Sequence, residues 1–274
     1  MRKYKKTHIR VKLLLRIFLC VLFLAAAGVI VTSAVRHDDI LSTCRWIWGF
    51  IANPEETLPG WNEESLESNL QFLNQEFDFS QLPEWDESTA YVTVHEGIPY
   101  FTEEEKSEAE VFFQYSELDS LGRTGAAFAS MNLSVFPLEE RDDSQDRLTV
   151  FPSGWNQQSY PDLVEHDYLY NRCHLIAWRF CGESVAEGLI TGTRYMNIEG
   201  MGTWEQKTAE YAYSHPESVI KYRVTPVYIG SELTCRGVLM EGYADSGALQ
   251  FCVFCYNEQP GITIQHLDGS SSAN

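Results

Sequence analysis

The stretch YLYNRCHLIAW, residues 168–178, sets Asn171, Arg172, Cys173 and His174 side by side between apolar flanks. These types offer an imidazole that can take a proton, a guanidinium that can hold an anion, and a thiol. A thiol nucleophile needs a base within hydrogen-bonding reach, and adjacent side chains of an extended strand point to opposite faces, so Cys173 cannot use His174. It would need His166 or His215, and nothing in the sequence ties either to Cys173. The same alternation puts Arg172 and His174 on one face and Asn171 and Cys173 on the other. His174 is then either a satisfied core histidine among Leu175, Ile176 and Trp178, or a base presented beside an arginine.

The elements that must position these residues begin near YVTVHEGIPYF (91–101), where apolar and polar residues alternate around a Gly97-Ile98-Pro99 turn. Thr102 followed by Glu105 is a capping-box pattern and predicts a helix in the run that follows. PLEERDDSQDR (137–147) is a charged loop. Met201, Trp204, Thr208, Tyr211 and Ala212 recur at helical spacing over 198–215, and Pro216 ends that helix. Three β-type runs follow, VIKYRVTPVYIG, CRGVLMEGYA and LQFCVFCYNE, with short turns around Gly230-Ser231 and Asp245-Ser246-Gly247. Short turns join antiparallel strands, so the expected class is α+β, a small antiparallel sheet flanked by helices.

Asn171-Arg172-Cys173-His174 resembles the Asp-Arg-Gly-His signature of the DNA/RNA non-specific endonucleases, the ββα-metal nucleases, and especially their membrane-anchored streptococcal competence members. PSGW (152–155) sits upstream as a Pro-x-Gly-Trp element does in that family. GLITGTRYMN (188–197) is similar to the segment ending in the family's metal-binding Asn, and YRVTPVY (222–228) and YNEQPGITI (256–264) resemble its closing strands. The likeness covers roughly residues 91–265. It implies a ββα-metal core in which His174 is the general base, an imidazole whose reference pKa of about 6.5 suits proton removal near neutral pH. It also implies that Asn197 holds Mg²⁺, with Mn²⁺ as the alternative ion. One neutral ligand suffices because Mg²⁺ keeps several waters. Glu205, eight residues on, would hold a water of that ion's shell; the other reading is a solvated helix face. Arg172 would clamp a phosphate or anchor the motif, and Arg194 and Asn171 complete the substrate side. Asn171 stands where the family has Asp, Cys173 where it has Gly, and Gly188 where some relatives carry a further Asn.

Outside this region, Ile17–Val35 is an uncharged, mostly apolar run preceded by a basic segment, close to the roughly 20 residues that cross a bilayer. The expected organisation is a basic cytoplasmic segment (1–16), a transmembrane helix (17–35), an acidic stalk (36–89), the endonuclease domain (90–267) and a flexible tail (268–274). A cleaved signal peptide is the alternative and would make the chain secreted. The first 36 residues hold eight of the 20 Lys and Arg and none of the 39 acids, which leaves residues 37–274 at a formal charge of −27. Nothing in this composition resembles a basic nucleic-acid groove. Six cysteines lie beyond the span, and Cys252-x-x-Cys255 suits buried thiols or structural bridges better than zinc.

The expected activity is metal-dependent hydrolysis of DNA outside the membrane, with RNA left open as a second substrate and no organic cofactor. The rival is a catalytically weak surface module of the same fold that binds a protein or cell-wall partner, favoured by the acidity and by Asn171.

Overall fold

The computed structural model describes residues 77–138, 150–245 and 247–274. All belong to one compact unit, Gly60–Asn274; the other, Met1–Pro59, lies outside the described residues, as do the expected membrane span and most of the stalk. Among the described residues no helix is long and apolar enough to cross a membrane.

In chain order the elements are β1 (Tyr91–Thr93), α1 (Glu103–Ser107), β2 (Phe112–Tyr115), β3 (Ala127–Met131), β4 (Tyr170–His174), α2 (Trp178–Cys181), β5 (Leu189–Thr193), a π-helical turn (Met196–Met201), α3 (Gly202–Ser214), β6 (Ile220–Val227), β7 (Gly237–Ala244), β8 (Gln250–Tyr256), β9 (Ile262–Gln265) and β10 (Ser270–Ala273). Six strands form an antiparallel sheet in the order β1-β8-β7-β6-β3-β2, while β4-β5 and β9-β10 are separate hairpins. The three β-type runs of the sequence thus form the expected meander β6-β7-β8.

β8 shows why this sheet is covered on both faces. Phe251, Val253 and Cys255 enter one core with Ala209 and Ala212 of α3 and with Cys173 and Ile190 of the β4-β5 hairpin. Cys252, Phe254 and Tyr256 alternate onto the opposite core. The two thiols of the CxxC therefore lie on opposite faces of a strand, which rules out both a bridge and a shared zinc. All five described cysteines are free and four are buried, so among them the buried-thiol alternative holds and no bridge forms. Pro226 fits within a central strand because β3 pairs with β6 only as far as Val224, so no ladder bond is lost there.

Three local expectations are corrected. Residues 77–89, assigned to the stalk, pack on the sheet: the Phe77 and Phe79 rings lie 5.9 and 5.4 Å from that of Phe254, and the Tyr256 hydroxyl donates to the Pro83 carbonyl at 2.7 Å. The predicted flexible tail forms β10, with Ser270–Ala273 paired to β9. The helix after Thr102 has its reciprocal capping box with Glu105 but stops at Ser107, and β2 takes over the Phe112–Tyr115 run.

Candidate active site

β4 and β5 pair in register, Asn171 opposite Gly192 and Cys173 opposite Ile190, and the chain then enters α3 through the π-helical turn. His174 closes β4. Its Nε2 is hydrogen bonded to Ser184 Oγ at 2.7 Å, across the turn that follows α2. Arg172 donates from Nε to the Val150 carbonyl, and its guanidinium lies 4.7 Å from the Phe151 ring centre and 4.4 Å from that of Trp155. This arginine is anchored by a carbonyl and two aromatic faces, and the Pro-x-Gly-Trp element supplies one of them. A side chain at Gly154 would meet Thr234 Oγ1 at 2.1 Å, and its φ of +67° is one that glycine tolerates best.

Cys173 is fully buried, and burial together with the charges of Cys235 and Glu205 pushes its thiol well above the ordinary range. A thiol so held is protonated at neutral pH and is no nucleophile. It fits in place of the family's glycine because its diagonal cross-strand neighbour, Gly192, lacks a side chain: a Cβ there would lie 2.4 Å from Cys173 Sγ.

Asn197 lies in the π-turn, whose closing bond runs from the Gly202 N–H to the Asn197 carbonyl. Eight residues of α-helix turn through about 80° more than two full turns, and the wider i→i+5 winding reduces that excess. Asn197 and Glu205 are thereby brought toward one face. Glu205 stands one turn before Thr208 and Ala209, which are buried against the sheet, so it is not on a solvated helix face. Burial pushes its pKa up to about 7 against the pull of Arg179. Its charge acts on Cys173 on β4, Tyr222 on β6 and Cys255 on β8.

Asn257, which the sequence did not single out, ties this assembly together. Fully buried, it accepts from the Thr193 N–H at 2.8 Å and donates to the carbonyls of Thr191 at 3.0 Å and Cys235 at 2.9 Å. Gln259 accepts from the Tyr195 N–H at 3.1 Å, so the YNEQ segment clamps the chain just before Asn197. Ser184 and Asn257 both act across long loops or between strands, where no local spacing signals them.

Arg194 is paired with the exposed Glu165 at 3.1 Å, and its Nε is buried without a partner among the described residues. Asn171 is half-buried on β4. No group of three or more His, Cys, Asp or Glu among the described residues could hold a metal ion.

A family model of the DNA/RNA non-specific endonucleases matches residues 102–246, more than half of the chain. The chain belongs to that family. This endonuclease is similar in fold to NucA from Streptococcus agalactiae, solved with no metal and with magnesium bound. Each comparison gives a TM-score of 0.61 at 17% identity over 81% of this chain and all of that one. The Sda1 nuclease with bound zinc matches at a TM-score of 0.50 and 25% identity, over 60% of this chain and 82% of that one. No curated protein matches the endonuclease sequence significantly.

Proposed function

We propose that this endonuclease hydrolyses phosphodiester bonds of DNA, with RNA open as a second substrate, using His174 as general base and a divalent ion held by Asn197. The observation that carries the reading is the Ser184 Oγ at 2.7 Å from His174 Nε2. With Nε2 as the N–H donor to that hydroxyl, the ring's basic lone pair is on Nδ1, the tautomer a base needs. Ser184 thus holds the orientation of the ring, and the Nδ1 base requires that Nε2 be the donor in this bond. Arg172, anchored on Val150, Phe151 and Trp155, stiffens the strand that carries it.

The residues fit a hard cation. Asn197 and Glu205 are both half-buried oxygen donors, and the Tyr222 hydroxyl buried near Glu205 has no hydrogen-bond partner among the described residues. An all-oxygen set suits Mg²⁺ or Mn²⁺ better than zinc. Asn197 would hold the ion and Glu205 would accept from its water shell. The bound ion would neutralise charge on the phosphate and on the departing 3′ oxygen. Arg194 is less suited to the substrate, because Glu165 already neutralises it.

The N-terminal run Ile17–Val35 supports an outward-facing placement on a membrane, as the sequence predicts. Digestion of plasmid DNA by the purified chain tests the reading: cleavage is expected with Mg²⁺ or Mn²⁺, to stop with EDTA and to return on adding excess ion. EDTA-resistant cleavage overturns the metal assignment. Intact DNA at high protein concentration favours the binding-module alternative.

A further inference from the structure

Charge neutralisation at the scissile phosphate is the chemical requirement an acidic chain is least equipped to meet, so the whereabouts of its cations decides where a phosphate can be held. Nine Lys and Arg fall among the described residues. Lys106, Arg123, Arg194, Arg223 and Arg236 each form an ion pair with a carboxylate. Lys221 is fully buried and donates to Ser130 Oγ at 2.9 Å, and Arg172 is engaged by the Val150 carbonyl and two rings. Two remain exposed without a carboxylate partner among the described residues, Arg179 and Lys207, and the Lys207 ammonium sits 3.7 Å over the Trp204 ring.

Arg179 is the one the fold delivers to the site. It lies on α2, five residues after His174. Its guanidinium donates from one nitrogen to Gln206 Oε1 at 2.8 Å, on the residue next to Glu205. It is also the cation whose field acts on Glu205. It therefore spans from the strand that carries the base to the helix that carries the carboxylate, and Gln206, itself held by Glu210 at 2.9 Å, fixes its direction while leaving further N–H groups to donate.

We infer that Arg179 is the substrate-binding side chain of this site, taking the non-bridging oxygens of the nucleic-acid phosphate. The inference rests on the endonuclease reading above. A guanidinium offers a charge and a fork of parallel donors that match a phosphate oxygen pair. Because no carboxylate among the described residues forms an ion pair with it, it needs no partner exchange to accept one.

The test is kcat/KM on a 5′-fluorescein-labelled DNA duplex with Mg²⁺, over about 50 to 200 mM salt, for the unaltered chain, Arg179→Gln, Arg179→Lys, the surface control Lys106→Gln and His174→Ala. Arg179→Gln is expected to lower kcat/KM about 10- to 100-fold, as loss of a charged hydrogen bond does. It should also make the dependence of log(kcat/KM) on log[salt] shallower by about one, as loss of one phosphate contact does. Arg179→Lys is expected to keep the slope and recover part of the rate, and Lys106→Gln to change neither. Unchanged rate and slope in Arg179→Gln overturn the inference. So does a lost rate with an unchanged slope that Lys fails to rescue, since that marks a purely structural role through Gln206. Failure of the unaltered chain to cut, or undiminished cutting by His174→Ala, sinks the endonuclease reading and this inference with it. Those outcomes are separate from any result of the Arg179 variants.

Discussion

Cys173 and Gly192 are a matched pair, and their match explains how the motif tolerates a side chain where the family has none. The Cys173 sulfur fills the space that a Cβ on Gly192 would enter at 2.4 Å. Gly192→Ala is expected to destabilise the chain by about 1–3 kcal/mol through overpacking, and by clearly less when Cys173→Gly is made as well. Urea unfolding of the four members of the cycle measures this coupling; additive effects would show that the two positions do not share the space. Glu205 carries a second residue-level consequence. Burial lifts its folded pKa to about 7 from an ordinary 4.5, so the folded chain keeps that proton to higher pH than the unfolded chain does. Its contribution to stability is therefore unaffected below the unfolded value, declines as pH rises between the two values, and stays low above the folded one. In EDTA, the chain is expected to lose about 1–3 kcal/mol from this group between about pH 5 and pH 8, and Glu205→Gln to remove that loss. Parallel pH profiles for the two proteins in chemical unfolding would contradict the raised pKa of this carboxyl.

At the scale of elements, the candidate site is a hairpin and a helix held to a sheet by a few buried polar anchors. Asn257 satisfies the Thr193 N–H and two carbonyls from within the core. Asn257→Ala leaves these groups unpaired and is expected to cost about 2–4 kcal/mol, with amide hydrogen exchange faster over β5 and the π-turn than over β6 and β7. Uniform loss of protection would argue against a local anchor. The strands β6, β7 and β8 were legible because long apolar runs between turn residues have few other uses, and the capping box at Thr102 was legible because both its groups are local. The end of its helix was not, since Phe112–Tyr115 is claimed by pairing with β3, a long-range contact. The π-turn was equally hidden. It depends on Gly200 packing against Cys255, where a Cβ would lie 3.2 Å from the Cys255 Cβ, and no spacing within the segment announces that. β10 is made of small polar residues that pair only because β9 lies alongside.

Across the whole molecule, acidity and function are reconciled by distribution. Most described cations are spent on internal pairs, so the net charge of the chain says little about the potential at one phosphate-sized spot. The candidate base, the candidate metal-holding Asn and the motif around them were legible from NRCH together with GLITGTRYMN; Ser184, Asn257 and Arg179 were not, because each acts between segments far apart in sequence or through a turn. Acid-rich composition also concealed that residues 77–89 belong to the folded body, where Phe77 and Phe79 cover Phe254. The central claim is that His174 is the general base, and plasmid cleavage by His174→Ala in saturating Mg²⁺, set beside its thermal unfolding, tests it most directly. A cleavage rate at least about 100-fold lower with an unchanged melting temperature is expected. Cleavage at the unaltered rate by a folded His174→Ala protein would contradict it.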